Sequence, residues 1–262
     1  MKNCLILGSG RSGTSMLGGI LHQAGYYMGD KLHKPEPSNP KGFFEWMTIN
    51  QINEQILAAY VRRGLREKFM EIAFKKGTVY NPLGRNQKWL LSLPMDVKVS
   101  SKVPQVETEI KEVLAKEPFC YKDPRFSYTL PIWEKFLKPG TVCICVFREP
   151  DVTVNSILKE CQTREYLRSL YINRRMAYNV WFNIYSHVLF KHAKHFENLI
   201  FVHYGQVYNG TALPMLSEML GAPLKKDFVD KGLKRTVPGG LIPVKVKDLY
   251  RRLCEAANYI GE

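Results

Sequence analysis

An apolar run, Cys4-Leu5-Ile6-Leu7, leads straight into Gly8-Ser9-Gly10-Arg11-Ser12-Gly13-Thr14-Ser15, and a helical pattern follows at once. This strand–glycine loop–helix order constrains the chain more than any other feature. Glycines let the backbone turn tightly enough for several N–H groups to converge on an anion. The helix N-terminus behind them adds partial positive charge. Met16, Leu17, Ile20, Leu21 and Ala24 recur at core spacing, which predicts a helix over 14–24. A buried strand opening onto a phosphate cradle is how many α/β chains begin.

The rest of the chain keeps that alternation. Phe119-Cys120-Tyr121, Thr141 to Phe147 and Leu199 to His203 read as strands. Helices are expected over 48–74, 106–115, 131–136, 151–161 and 164–196, and again beyond 203 around a basic loop. The fold class is therefore α/β, a three-layer sandwich around a central parallel sheet, with 1–262 forming one domain. Ligands in such folds bind beyond the carboxyl ends of the strands. Residues 35–42, with three prolines and a glycine, form a loop. Residues 76–105, with Gly77, Pro82, Gly84, Pro94 and Pro104, read as an irregular wall or lid.

Composition narrows the partners only a little. Lys and Arg number 38 against 24 Asp and Glu, a net charge of +14. Such a surface attracts anions of many kinds. No long basic block marks a nucleic-acid arm, so no nucleic-acid partner is expected. The first apolar run is too short for a signal peptide or a membrane span. The six cysteines match no zinc spacing, and reduced thiols in the cytoplasm are the expectation. His187, His192 and His195 fall on one expected helix without a carboxylate partner, so no metal is assigned to them. Met215 and Met219 read as packing residues.

The glycine loop departs from the ATP-binding pattern G-x-x-x-x-G-K-[ST]. Thr14 stands where a lysine would steady the β/γ-phosphates, and the cation sits instead at Arg11. The strand over 141–147 ends in Arg148-Glu149, where a nucleotide triphosphatase more often has an aspartate. Pro150 and Asp151 suit a helix start, which puts Ser156 in the early turns of that helix. Arg148 and Ser156 can then face one phosphate.

Gly-Arg-Ser-Gly-Thr-Ser after a first strand resembles the 5′-phosphosulfate loop of sulfotransferases that use PAPS (3′-phosphoadenosine-5′-phosphosulfate). The arginine in the loop is closer to their bacterial and Golgi carbohydrate branches. The resemblance implies a P-loop-type fold in which Gly10, Arg11, Ser12, Gly13, Thr14 and Ser15 hold the 5′-phosphosulfate. An arginine followed eight positions later by a serine is similar to the family's 3′-phosphate motif, which implies Arg148 and Ser156 for that group. Asn39-Pro40-Lys41-Gly42-Phe43-Phe44-Glu45 resembles a stretch of the bacterial proteins and implies Glu45 as the base. Its aromatic neighbours Phe43, Phe44 and Trp46 would desolvate it.

His33 is the alternative base, because the cytosolic branch uses histidine. Lys122-Asp123-Pro124-Arg125 is also similar to a bacterial stretch and makes Lys122 or Arg125 a candidate for the sulfonate. Lys231-Gly232 and Lys234-Arg235 fall where the family closes a basic loop over the nucleotide. The cytosolic Arg-Lys-Gly-x-x-Gly-Asp-Trp signature is absent, which argues against a phenol or steroid enzyme.

The implied activity is transfer of a sulfonate from PAPS to a hydroxyl of a carbohydrate, lipid or small metabolite. PAP is the second product, and no metal is required. Two other readings stay open: a P-loop kinase with a displaced cation, which needs ATP and magnesium, and a non-catalytic nucleotide binder of the same fold.

Overall fold

Side chains alternate across a strand, so a strand buried on both faces feeds two cores at once. In the computed structural model, which describes residues 1–61, 83–101, 103–167, 170–230, 232 and 238–261, the first strand, β1 (Cys4–Leu7), does this. Leu5 and Leu7 enter one apolar cluster, Cys4 and Ile6 the other. The strand β3 (Val142–Phe147) divides the same way: Cys143, Cys145 and Phe147 face the first cluster, and Val142, Ile144 and Val146 the second. With β2 (Cys120–Lys122) and β4 (Leu199–His203) they form a four-stranded sheet, ordered β2-β1-β3-β4, in which every pairing is parallel.

Helices cover both faces. α1 (Thr14–Gln23) and α8 (Leu213–Leu220) supply the second cluster through Leu17, Ile20, Leu21, Leu213 and Leu216. The first and larger cluster is built by α2 (Met47–Ala58), α3 (Gln105–Leu114), α4 (Phe126–Trp133), α5 (Pro150–Thr163), α6 (Arg174–Phe190) and α9 (Val244–Ala256). A short helix, α7 (Tyr204–Asn209), follows β4 directly. The three-layer α/β architecture expected from the sequence is the one observed. All six cysteines are free, and five are buried.

Three helix expectations change. The helix expected to run from 48 to 74 ends at Ala58, and residues 62–74 lie outside the described part of the chain. The helix expected over 131–136 begins five residues earlier, at Phe126, with Pro131 inside it. A proline there leaves the carbonyl four residues back without its usual donor. That carbonyl, of Ser127, accepts from Nε2 of His192 at 2.9 Å. Burial holds the His192 pKa down at about 4, so the ring is neutral. His187 turns its Nε2 to the carbonyls of Leu93 and Pro94. The expected helix over 164–196 starts only at Arg174, where the Asn173 side chain accepts from Met176 N at 2.9 Å and caps it. Met215 is 44% exposed, so it does not pack as expected.

Gly8 turns the chain out of β1 with φ +125°, and a Cβ there would lie 2.2 Å from the carbonyl oxygen of Val146. Gly8→Ala is therefore expected to destabilise the fold by about 2–4 kcal/mol, from backbone strain and overlap together. A chemical-denaturation midpoint equal to that of the parent protein would show that β3 yields at this point.

Candidate active site

All four strands point their carboxyl ends at one cleft of about 430 Å³. Each strand delivers part of its wall: the glycine loop after β1, Lys122 at the end of β2, Arg148 after β3 and Tyr204 after β4. This is where the alternation of strands and helices puts a site in a parallel sheet.

The glycine loop is held from behind. Gly8 N donates to Ser127 Oγ at 3.2 Å. Ser9 N donates to Tyr185 Oη at 3.1 Å, and that hydroxyl in turn donates to the Val146 carbonyl at 3.0 Å. Gly13 caps α1 with φ +90° and offers its first amides no side-chain acceptor. Its missing Cβ is also what lets the Tyr204 ring approach. Arg11 adopts φ +70°, a left-handed conformation uncommon outside glycine, which turns it toward the cleft.

Gly10, Arg11, Gly13, Thr14, Ser15, Arg148, Ser156, Glu45, His33 and Lys122 all line this cleft. Ser12 does not. Its hydroxyl is fully buried and donates to Ser9 O at 2.6 Å, with Val146 O at 3.3 Å. Its side chain tightens the loop against β3. The basic residues Lys231, Lys234 and Arg235 lie outside the described residues.

Two arginines, Arg11 and Arg148, line the cleft in different surroundings. Arg11 Nε donates to Ser156 Oγ at 3.0 Å, and a second guanidinium nitrogen donates to Ser38 O at 3.1 Å. Glu160, buried on α5, lies 3.7 Å from Arg11 and accepts from Ser38 Oγ and Arg164 Nε. Burial pulls the Arg11 pKa down, opposed by Glu160. Asn39 Nδ2 donates to Ser15 Oγ at 3.0 Å and completes the fastening of the 35–42 loop over α1. Arg148 lies 4.3 Å above the Tyr204 ring centroid. Its Nε is buried without a hydrogen bond, the nearest carboxylate oxygen being that of Glu149 at 3.5 Å. A buried guanidinium N–H without an acceptor is costly to leave so.

Opposite the glycine loop stands a corner of charged groups. Lys122 Nζ donates to Glu45, and both side chains are largely buried. Asn50 on α2 lies between them and the interior: its Nδ2 donates to Asp123 Oδ2 at 2.8 Å and to Glu45 Oε2 at 3.3 Å, while its Oδ1 lies 2.7 Å from His33 Nε2. Arg125 is pinned by Asp123 at 3.0 Å and by Glu54 at 2.7 Å. Trp46 and Phe44, which flank Glu45 in sequence, are buried in the two apolar clusters. Asn50, Asn53 and Glu54 escaped the sequence reading. Their signal was there: three polar residues at helical spacing i, i+3, i+4, beside the apolar set Ile49, Ile52, Ile56.

The fold and the site define an α/β protein with a glycine loop after its first strand, Thr14 at the triphosphatase lysine position and the loop's cation at Arg11. Comparison with solved structures gives the type. A sulfotransferase domain from the curacin biosynthetic pathway superposes with a TM-score of 0.55, at 16% identity, over 100% of this chain and 99% of that one. The chain has the sulfotransferase-type fold. A sulfotransferase from Alicyclobacillus acidocaldarius aligns with a TM-score of 0.43, at 12% identity, over 100% of this chain and 97% of that one. Retinol dehydratase in complex with androsterone and the inactive cofactor PAP aligns at 0.35, with 13% identity, over 97% of this chain and 65% of that one. No family model matches the sequence, and no curated protein does.

Proposed function

We propose that the chain, as one catalytic domain, is a PAPS-dependent sulfotransferase acting on a hydroxyl acceptor. The observation that carries this is the pair of cationic ends in one cleft. Arg11 and the uncapped amides of α1 form one, and Arg148, with its unsatisfied Nε beside the Tyr204 ring, forms the other. A nucleotide with phosphate groups at both its 5′ and 3′ positions matches that pair. The residues fit the donor: Arg11, Gly13, Thr14 and Ser15 hold the 5′-phosphosulfate, Arg148 and Ser156 the 3′-phosphate, and the Tyr204 ring backs the Arg148 guanidinium.

When bound, PAPS supplies the sulfonate, whose bridging S–O bond breaks toward the 5′-phosphate as the acceptor oxygen bonds to sulfur. Arg11 and the α1 amides stabilise negative charge on the oxygens they hold. Glu45 accepts the hydroxyl proton, and Lys122, within reach of the same corner, holds the Glu45 carboxylate toward the cleft. Ser156 serves Arg11 before the donor arrives and the 3′-phosphate after it. Among the described residues no helix is long and apolar enough to cross a membrane, and the free thiols are compatible with a cytoplasmic site of action.

A melting-temperature titration tests the reading, with PAP, 5′-AMP and ATP–magnesium in parallel. A ligand at a hundred times its dissociation constant adds about 2.7 kcal/mol to the folded state. PAP is expected to raise the melt and the other two are not; a response to ATP–magnesium alone would end the sulfotransferase reading. Arg148→Ala should weaken PAP at least tenfold and narrow its advantage over 5′-AMP.

A further inference from the structure

The amide of Asn50 has only one orientation available. Asp123 is fully buried and acceptor-only: its Oδ1 takes Arg125 N at 2.8 Å and an Arg125 guanidinium N–H at 3.0 Å, and its Oδ2 takes Asn53 Nδ2 at 3.0 Å. Asn53 is oriented in turn, because its Oδ1 accepts from Thr129 Oγ1 at 2.7 Å and Trp133 Nε1 at 2.9 Å. Asn50 must therefore give its NH₂ to Asp123 and Glu45. Turned over, it would set its carbonyl oxygen against two carboxylate oxygens. Its Oδ1 then faces His33 Nε2 at 2.7 Å and requires a proton there.

We infer that Asn50 is a positioning residue that aims the Glu45 carboxylate and keeps a proton on His33 Nε2, so that the singly protonated ring is the Nε2–H tautomer with a lone pair on Nδ1. The nitrogen that carries the proton on a histidine is set by the hydrogen bond the other groups impose. His33 is half-buried on the cleft wall, packed edge-on to Phe43. Its bare Nδ1 accepts a hydrogen bond from the acceptor, while Glu45 takes the proton of the hydroxyl that attacks. A single buried amide thereby ties two groups of the cleft to one anchored carboxylate. The catalytic meaning rests on the sulfotransferase reading, whereas the tautomer does not.

Long-range ¹H–¹⁵N spectra of protein labelled on the histidine rings test it, with His33 assigned through His33→Gln. In spectra recorded at alkaline pH, where the ring carries a single proton, the expected result is Nε2–H in the parent protein and a mixture of tautomers in Asn50→Ala. In that variant kcat should fall about tenfold or more, as when a histidine loses the partner that sets its tautomer, with PAP affinity changed less than about twofold. A parent spectrum dominated by Nδ1–H, or a tautomer indifferent to Asn50→Ala, overturns the inference. The parent spectrum decides even if the variant does not fold. PAP binding with the wrong tautomer sinks this inference alone; no PAP binding with the Nε2–H tautomer sinks the function and leaves the geometry standing.

Discussion

Replacing Glu45 by glutamine is expected to cut turnover about 10²–10⁴-fold while leaving PAP binding intact, because a general base contributes on that scale. Glutamine keeps the shape and can still accept through its oxygen, so the Lys122 and Asn50 contacts are retained in part. The proton acceptor is what disappears. Arg11 and Arg148, proposed above to hold the donor, are not among the side-chain partners of Glu45, so PAP should still raise the melting temperature as in the parent protein. The measurement is kcat and donor KM by a coupled PAP-release assay. Loss confined to kcat supports Glu45 as base. Undiminished turnover would move the base to His33, whose replacement should then carry the loss.

The largest effect on stability is expected at Glu54, which no reading of the sequence singled out. Its carboxylate accepts from Arg125 Nε and Lys88 Nζ, both at 2.7 Å, and from the backbone amides of Asn86 and Lys88 at 2.8 and 2.9 Å. Arg125, Lys88 and Glu54 are each less than 10% exposed. Removing one partner of a buried ion pair leaves an uncompensated charge and costs about 3–5 kcal/mol. Glu54→Ala faces two such cations: Arg125 keeps Asp123 and the Asn86 carbonyl, and Lys88 keeps the Gly84 carbonyl but loses its carboxylate. The melting temperature should fall on the order of 10 °C for a chain of this size. Substituting Lys88 by methionine in the same background should restore part of the loss, since an apolar residue of similar volume needs no partner. Equal melting temperatures for Glu54→Ala and the parent would mean that water replaces the carboxylate, and the network would lose its structural role.

The cluster around Glu54 also explains why the acid–base corner was harder to read than the glycine loop. The loop is local: glycines, a displaced cation and a helix start lie within eight consecutive residues, and the parallel strand that precedes them is apolar throughout. Its conformation follows from backbone chemistry over a short stretch. Arg148 and Ser156 are nearly as local, since a strand end and the helix behind it fix their separation. By contrast the corner joins His33, Glu45, Asn50 and Asp123 from a loop, a helix and a strand end up to 90 residues apart. Nothing in the spacing of these residues brings them together; the sheet does, by lining up β1 and β2 in register.

Sequence by itself determined the class of fold, the order of the strands, and the glycine loop and Arg148 that come to line the cleft. Those properties rest on periodicity, on turn chemistry and on side chains close in the chain, which act before any long-range contact forms. Tertiary structure alone decided that Ser12 turns inward against Val146, that His192 serves the carbonyl freed by Pro131, and that Arg11 meets Ser156 and Glu160. It alone decided that Asn50 presents its oxygen to His33. Each of these depends on which buried donor finds which acceptor across the core, and a buried polar group is satisfied by whatever the packing brings within 3 Å, however distant in the chain.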